Sequence, residues 1–255
     1  VGLAEKSVRI LWQTNSLVNK VIKNIERFQS NFYSVESLGI NIASPKIIEQ
    51  WTVFAQNGPF GFDIHKAYDF CSIIESNDID TIIETGTNAG DTTEFLAKQY
   101  PDKKIITCET DPSLVTIARL RLDKFKNVSV FEASSEFIVR DVNQDKHNII
   151  YFLDAHFQAY WPLKDELHLI KRGFVMIDDF CIGSSNYYYD TYDKVKCDIN
   201  LIKLYAKPQD AYVNNVLFHY PLPNHQKYFV KSGRGFYQKG FSSKVFLNKN
   251  FRRVV

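Results

Sequence analysis

Ile79-Asp80-Thr81-Ile82-Ile83-Glu84-Thr85-Gly86-Thr87-Asn88-Ala89-Gly90 is the stretch on which the fold turns. Ile79 to Ile83 is a short apolar run rich in β-branched side chains, which predicts a buried strand. Glycines at 86 and 90 let the backbone turn tightly and approach a ligand closely. Thr92 to Gln99 then reads as a helix. The same grammar repeats downstream. Strands are predicted at Lys104 to Cys108, Val128 to Phe131, Ile149 to Leu153 and Phe174 to Ile177. Helices are predicted from Asp111-Pro112-Ser113 to about Lys124 and from Leu163 to Ile170. Apolar strands separated by helices imply a parallel sheet covered on both faces. Val213 to Tyr220 and Gly235 to Gln238 are expected to add an antiparallel edge pair. The predicted fold is therefore α/β: a doubly wound, mostly parallel seven-stranded Rossmann-like sheet.

Upstream of this sheet the pattern is helical. Val8, Ile10, Leu11, Leu17, Val18, Val21, Ile22 and Ile25 fall near a 3.6-residue period. Such a helix packs on the main domain; the other uses open to it are a dimer interface or a peripheral membrane helix. Ser44-Pro45 is a helix start, Asn57-Gly58-Pro59-Phe60-Gly61 a loop, and Phe70 to Glu75 a resumed helix. The expected organisation is a helical extension over 1–75, the sheet domain over 76–240 and a basic tail over 241–255. After Asp210 there is no acidic residue, whereas Lys227, Lys231, Arg234, Lys239, Lys244, Lys249, Arg252 and Arg253 follow. That tail reads as solvated, with an anion-attracting surface as the alternative.

In open parallel sheets, ligands bind outside the carboxyl ends of the strands, near the switch in strand order. The residues after the first strand, Glu84, Gly86, Thr87 and Gly90, are thus the expected cofactor contacts. Glu109, after the second strand, is placed to accept hydrogen bonds from ribose hydroxyls. A dinucleotide fingerprint would be G-x-G-x-x-G with a pyrophosphate on the helix N-terminus. Here Glu84 replaces the first glycine and the spacing is G-x-x-x-G. A carboxylate there repels a pyrophosphate and suits a methionine ammonium, which favours S-adenosylmethionine over NAD. Ser134, in Glu132-Ala133-Ser134-Ser135-Glu136, is expected at the adenine edge, although Ser-Ser before Glu is also a helix cap.

Asp154-Ala155-His156 follows the fourth strand and Asp178-Asp179 the fifth. Carboxylates converging there need a positive charge among them. A divalent cation such as Mg²⁺, held by Asp154, Asp178 and Asp179, would supply it and acidify a substrate hydroxyl. The alternative is that the aspartates only cap a helix or loop. His156 is the candidate general base, or else a residue that orients a metal ligand. Asp154 is in addition a candidate cofactor contact and catalytic residue.

Length and composition bound the rest. A chain of 255 residues with 45% hydrophobic content can bury a sizeable core. The formal net charge of +2 carries no strong nucleic-acid signal. Cys71, Cys108, Cys181 and Cys197 form no CxxC pair, which argues against a disulfide framework or structural zinc and for a reducing, cytoplasmic setting. No apolar stretch reaches the roughly 20 residues of a membrane span. The first residue is not Met, as in a trimmed chain or one domain of a longer protein.

The motifs IIETGTNAG, TCETD, FEASSEFI, YFLDAHFQAYWPLKDEL and KRGFVMIDDF, between Ile79 and Phe180, resemble the class I S-adenosylmethionine-dependent methyltransferases. The resemblance is to metal-dependent catechol-type enzymes and to macrocin-type sugar O-methyltransferases. It implies S-adenosylmethionine held by the first loop and Glu109, adenine at Ala133-Ser134, and a metal on Asp154, Asp178 and Asp179. It also implies a small-molecule or glycan hydroxyl as acceptor. One departure stands out: where the catechol type has a catalytic lysine, this chain has Phe157. Aromatic residues in Tyr160-Trp161-Pro162 and Tyr187-Tyr188-Tyr189 would stack on a sugar or planar ring. The rival readings are an NAD(P)-dependent oxidoreductase and a non-catalytic cofactor-binding or assembly module. The N-terminal helices are the expected surface for any homo-oligomer.

Overall fold

The computed structural model describes residues 59–155, 160–215 and 232–255. The N-terminal helical pattern, Ser44-Pro45, His156, Phe157 and residues 216–220 of the predicted Val213 to Tyr220 strand lie outside the described residues. A 3₁₀ turn, Pro59–Phe62, leads into helix α1, Ile64–Glu75, whose N-cap Asp63 accepts from the amides of His65 and Lys66. The helix therefore starts six residues before the Phe70 expected from periodicity. Its buried stripe includes Lys66 and Asp69 beside Ala67, Phe70, Ile73 and Ile74, so charged residues interrupt the apolar pattern.

The sheet follows: β1 Thr81–Thr85, α2 Asp91–Gln99, β2 Lys104–Glu109, α3 Pro112–Leu122, β3 Val128–Glu132, α4 Ser135–Asp141, β4 Ile149–Leu153, α5 Leu163–Leu169 and β5 Gly173–Ile177. A small hairpin, β6 Thr191–Tyr192 and β7 Val195–Lys196, precedes α6 Ile199–Leu201, which runs into a π-helical turn, Ile202–Ala206. Strands β8 Ala211–Asn214, β9 Gly235–Lys239 and β10 Phe251–Arg253 complete the sheet.

The strand order is β10-β8-β9-β5-β4-β1-β2-β3. β1 to β5 pair in parallel, while β9 runs antiparallel to both β5 and β8, and β10 antiparallel to β8. This is the mixed, mostly parallel Rossmann-like architecture with an antiparallel edge, with eight strands where seven are expected. The extra strand corrects the reading of 241–255 as a solvated tail. Phe251 and Phe246 are buried, with ring centroids 5.1 Å apart, and Phe246 stacks on Tyr212 at 4.8 Å. Two core aromatics among the basic residues anchor the strand, while Arg252 and Arg253 stay exposed.

Alternation along the strands sends side chains to two cores. On β4, Ile150 and Phe152 join one cluster with Phe60, Phe70 and Phe95. Ile149, Tyr151 and Leu153 join the other with Leu167 and Tyr237. The chain winds outward from β1 to β3, then returns to place β4 on the other side of β1. That reversal opens a crevice at the carboxyl ends of β1 and β4, where ligands bind in such sheets. Among the described residues no helix is long and apolar enough to cross a membrane.

Candidate functional site

The loop after β1 is wedged between the ends of its neighbours. The amides of Gly86 and Thr87 both donate to the carbonyl of Cys108 on β2, at 3.0 and 2.9 Å. On the other side, the Asp154 amide after β4 donates to Thr85. Gly86 has φ +85°, and a Cβ there would lie 2.8 Å from the Asp154 carbonyl oxygen, so only glycine fits. Gly90 has φ +84° and sits over Leu122, where it starts α2. The first turn of α2 is acidic. Asp91 and Glu94 lie there, and Arg121 of α3 holds both, at 2.5 and 2.6 Å.

Glu84 is not on this loop. It is the fourth residue of β1, 2% exposed, because the strand begins two residues later than its apolar run suggests. Its carboxyl group faces α2 and accepts from the hydroxyls of Thr93 and, at 2.9 Å, Thr107. Burial pushes Glu84 up to about 8, although the two threonine hydrogen bonds pull the other way. Thr87 likewise turns inward, its hydroxyl 2.6 Å from that of Thr107. The predicted contacts thus divide. Gly86 and Gly90 shape the crevice floor, while Glu84 and Thr87 brace it from below.

Glu109 stands at the carboxyl end of β2, half-buried. One oxygen accepts the Asn88 amide at 2.9 Å, and the other accepts the amides of Thr110 and Asp111. The carboxylate thereby ties the glycine loop to the β2–α3 turn, and carboxylate oxygens retain further acceptor capacity. Ala133 donates its amide to the Glu109 carbonyl, which brings the β3 end alongside. Ser134 precedes α4, and its hydroxyl donates to Glu136, which also accepts from Tyr160 at 2.9 Å. Glu109 and Ser134 therefore share one rim.

The opposite rim holds the aspartates. Asp178, at the end of β5, is 5% exposed and both its oxygens are taken. Lys66 Nζ of α1 lies 2.5 Å from Oδ2, and Ser232 Oγ donates to Oδ1 at 3.1 Å. Asp179 has a left-handed φ of +46°, and its carbonyl accepts the Asp190 amide. Burial alone would lower the affinity of Lys66 for its proton. The carboxylates of Asp178, Asp179, Asp63 and Asp154 reverse that and hold it well above the ordinary lysine range. Beside this pair, Arg234 is buried between Asp69, at 2.8 Å, and Asp63, at 3.4 Å.

These contacts decide how a divalent ion would fit. Asp178 already has a cation on it, the Lys66 ammonium, which Asp179 and Asp154 also attract. Among the described residues no group of three or more His, Cys, Asp or Glu is arranged to hold a metal ion. The donor set therefore does not support the expected Mg²⁺ ligation. Next to Asp178 lies a narrow cleft lined by Leu153, Ala155, Trp161, Ile177 and Asp190 among others. Trp161 stacks on Tyr192 with centroids 4.8 Å apart.

Sequence reasoning missed Lys66, Ser232, Arg234, Thr93 and Thr107. Motif reading began at the first strand, and Lys66 precedes it. One signal was available: Asp63, Lys66 and Asp69 recur at three-residue spacing, and Lys66 falls in register with Phe70 and Ile73 on the apolar face.

No family model matches the chain. A 51-residue segment, 20% of the chain, is 45% identical to the probable ribosomal RNA small subunit methyltransferase A of Methanosarcina acetivorans. That match spans 18% of the relative's length. A solved structure described as a caffeoyl-CoA O-methyltransferase from Staphylococcus aureus is 16% identical, covers 87% of this chain and 99% of its own, and has a TM-score of 0.47. One described as a sarcosine dimethylglycine methyltransferase from Galdieria sulphuraria is 14% identical, with 57% of this chain and 62% of that one covered and a TM-score of 0.41.

Proposed function

We propose that the chain is an S-adenosylmethionine-dependent methyltransferase acting on a hydroxyl of a small molecule or glycan. The observation that carries the reading is the shape of the first glycine loop: Gly86 and Gly90 are left-handed and clear the crevice floor, with a G-x-x-x-G spacing that departs from the dinucleotide fingerprint. The α2 turn that would cradle a pyrophosphate carries Asp91 and Glu94, both engaged by Arg121, in place of free amides alone. Glu109 supports the same reading, since a ribose set against it would have a carboxylate already oriented by three amides.

When bound, S-adenosylmethionine supplies an activated methyl electrophile. The work left to the protein is then chiefly to hold the acceptor oxygen in line with it and exclude water. The loop from Gly86 to Gly90 binds and orients. Asp154, whose carbonyl backs Gly86, is the proposed residue between cofactor and acceptor. His156, two residues on, is the proposed proton acceptor. Tyr160 and the Trp161–Tyr192 stack are aromatic surfaces suited to a sugar or planar ring. A homo-oligomer formed through the N-terminal segment and a cytoplasmic setting belong to the same proposal.

The local match to a ribosomal RNA methyltransferase puts RNA in the set of acceptors to be compared. Incubation with methyl-labelled S-adenosylmethionine and separate pools of small hydroxyl compounds, glycans and RNA tests the reading. Label in the first two pools is expected. Label confined to RNA would replace the acceptor class, and label in none, with the cofactor unbound, would sink the proposal.

A further inference from the structure

We propose that the ammonium of Lys66 is the resident cation of this crevice, standing among Asp178, Asp179 and Asp154 in the place a divalent metal would need. The inference rests on the methyl-transfer reading for its significance, but its geometry stands by itself. Lys66 lies in the first turn of α1, where Asp63 caps the helix and accepts the Lys66 amide at 3.2 Å. Its side chain and that of Asp178 are 9% and 6% exposed, and the contact between them is 2.5 Å. The pair is therefore a fixed, desolvated contact and differs from a surface ion pair that solvent can open.

Asp178 has its second oxygen on Ser232. A metal ion approaching this aspartate would have to displace a buried ammonium or sit against it, and like charges at that separation repel strongly in a partly dry site. Neither can Lys66 swing aside freely. The helix that carries it is pinned by a second buried group, since Arg234 grips Asp69 and Asp63 on the same helix and its cap. Residues 232–234 thus contribute Ser232 to one aspartate and Arg234 to two others, fastening α1 against the β5 end.

The chemical consequence is a site with one fixed positive charge and no exchangeable ion. An ammonium has three N–H donors, of which Asp178 takes one, so it can also order neighbouring carboxylates. It cannot act as a Lewis acid on the acceptor hydroxyl. Lys66 is thus a positioning residue: it balances the Asp178 carboxylate and holds it in place, and the proton of the acceptor has to leave to a base.

The full chain, titrated with Mn²⁺ alone and followed by electron paramagnetic resonance of the free ion, tests this. Wild type is expected to bind no Mn²⁺ at these aspartates, and Lys66→Arg none either. Lys66→Gln, with the cation removed, is expected to gain one Mn²⁺ per chain, and Asp178→Asn added to it to lose that ion again. A merely structural lysine would not produce this exchange. One Mn²⁺ bound by wild type and lost on Asp178→Asn would overturn the proposal, as would failure of a folded Lys66→Gln to gain an ion. Should Lys66→Gln fail to fold, the wild-type and Lys66→Arg titrations still decide. A parallel titration with S-adenosylhomocysteine in excess chelator separates the two readings. Binding unchanged by chelator supports both, and binding abolished by it refutes the Lys66 assignment. No binding with or without chelator refutes the cofactor reading and leaves the Mn²⁺ result to stand.

Discussion

Over β1 and β2 the crevice is built from backbone and hydroxyl groups: two left-handed glycines, the Cys108 carbonyl, three threonines and a carboxylate holding amides. Over β4 and β5 it is built from formal charge, with Lys66 and Arg234 buried among Asp63, Asp69 and Asp178. The first kind of construction fails locally, because each hydrogen bond contributes about 1 kcal/mol net. The second fails as a unit, because removing one ion strands its partner away from water.

That difference ranks the expected effects. Lys66→Met leaves Asp178 buried without its cation and should cost about 3–5 kcal/mol, seen as a lowered urea midpoint. Adding Asp178→Leu should restore most of the loss, since an apolar pair needs no compensation. A double variant as unstable as the single one would break the comparison. Gly86→Ala comes next. Its Cβ would meet the Asp154 carbonyl at 2.8 Å in a backbone conformation that costs about 1–3 kcal/mol for a side chain. Loss of S-adenosylhomocysteine binding with the fold retained is the expected result.

Glu109→Ala should lower cofactor affinity by about tenfold, as one charge-assisted contact is worth, and reduce stability less than either change above. A variant whose effect depends on pH, and vanishes at low pH, is Glu84→Gln. Glu84 titrates near 8 in the folded chain, above its unfolded value, so its contribution to stability is complete at low pH and lost as pH rises towards 8. Glu84→Gln removes that slope. The variant should match wild type near about pH 4 and gain on it steadily up to about pH 8, read from denaturant midpoints. Parallel pH profiles for the two proteins would show that Glu84 is ionised throughout.

The same contrast explains what could be read in advance. The parallel sheet was legible because buried strands such as Ile149 to Leu153 and Phe174 to Ile177 are unbroken apolar runs. The glycine loop was legible because its chemistry is local in sequence. The charged rim was not, since Lys66 and Asp178 are 112 residues apart and Arg234 and Asp63 are 171 apart. Spacing along a chain carries no information about such pairs, so the buried cations beside Asp178 and Asp63 were not legible. The side to which Glu84 faces was hidden for a different reason. A shift of two residues in the strand start moves a residue from loop to strand, and element boundaries are where periodicity is weakest.

The most direct test of the central claim returns to the crevice above β1. Calorimetric titration of the wild-type chain with S-adenosylhomocysteine, and separately with NAD, compares the two ligands that the loop had to tell apart. The account predicts one S-adenosylhomocysteine bound per chain and no measurable NAD binding. Tight NAD binding, or no response to S-adenosylhomocysteine from a folded sample, would contradict it.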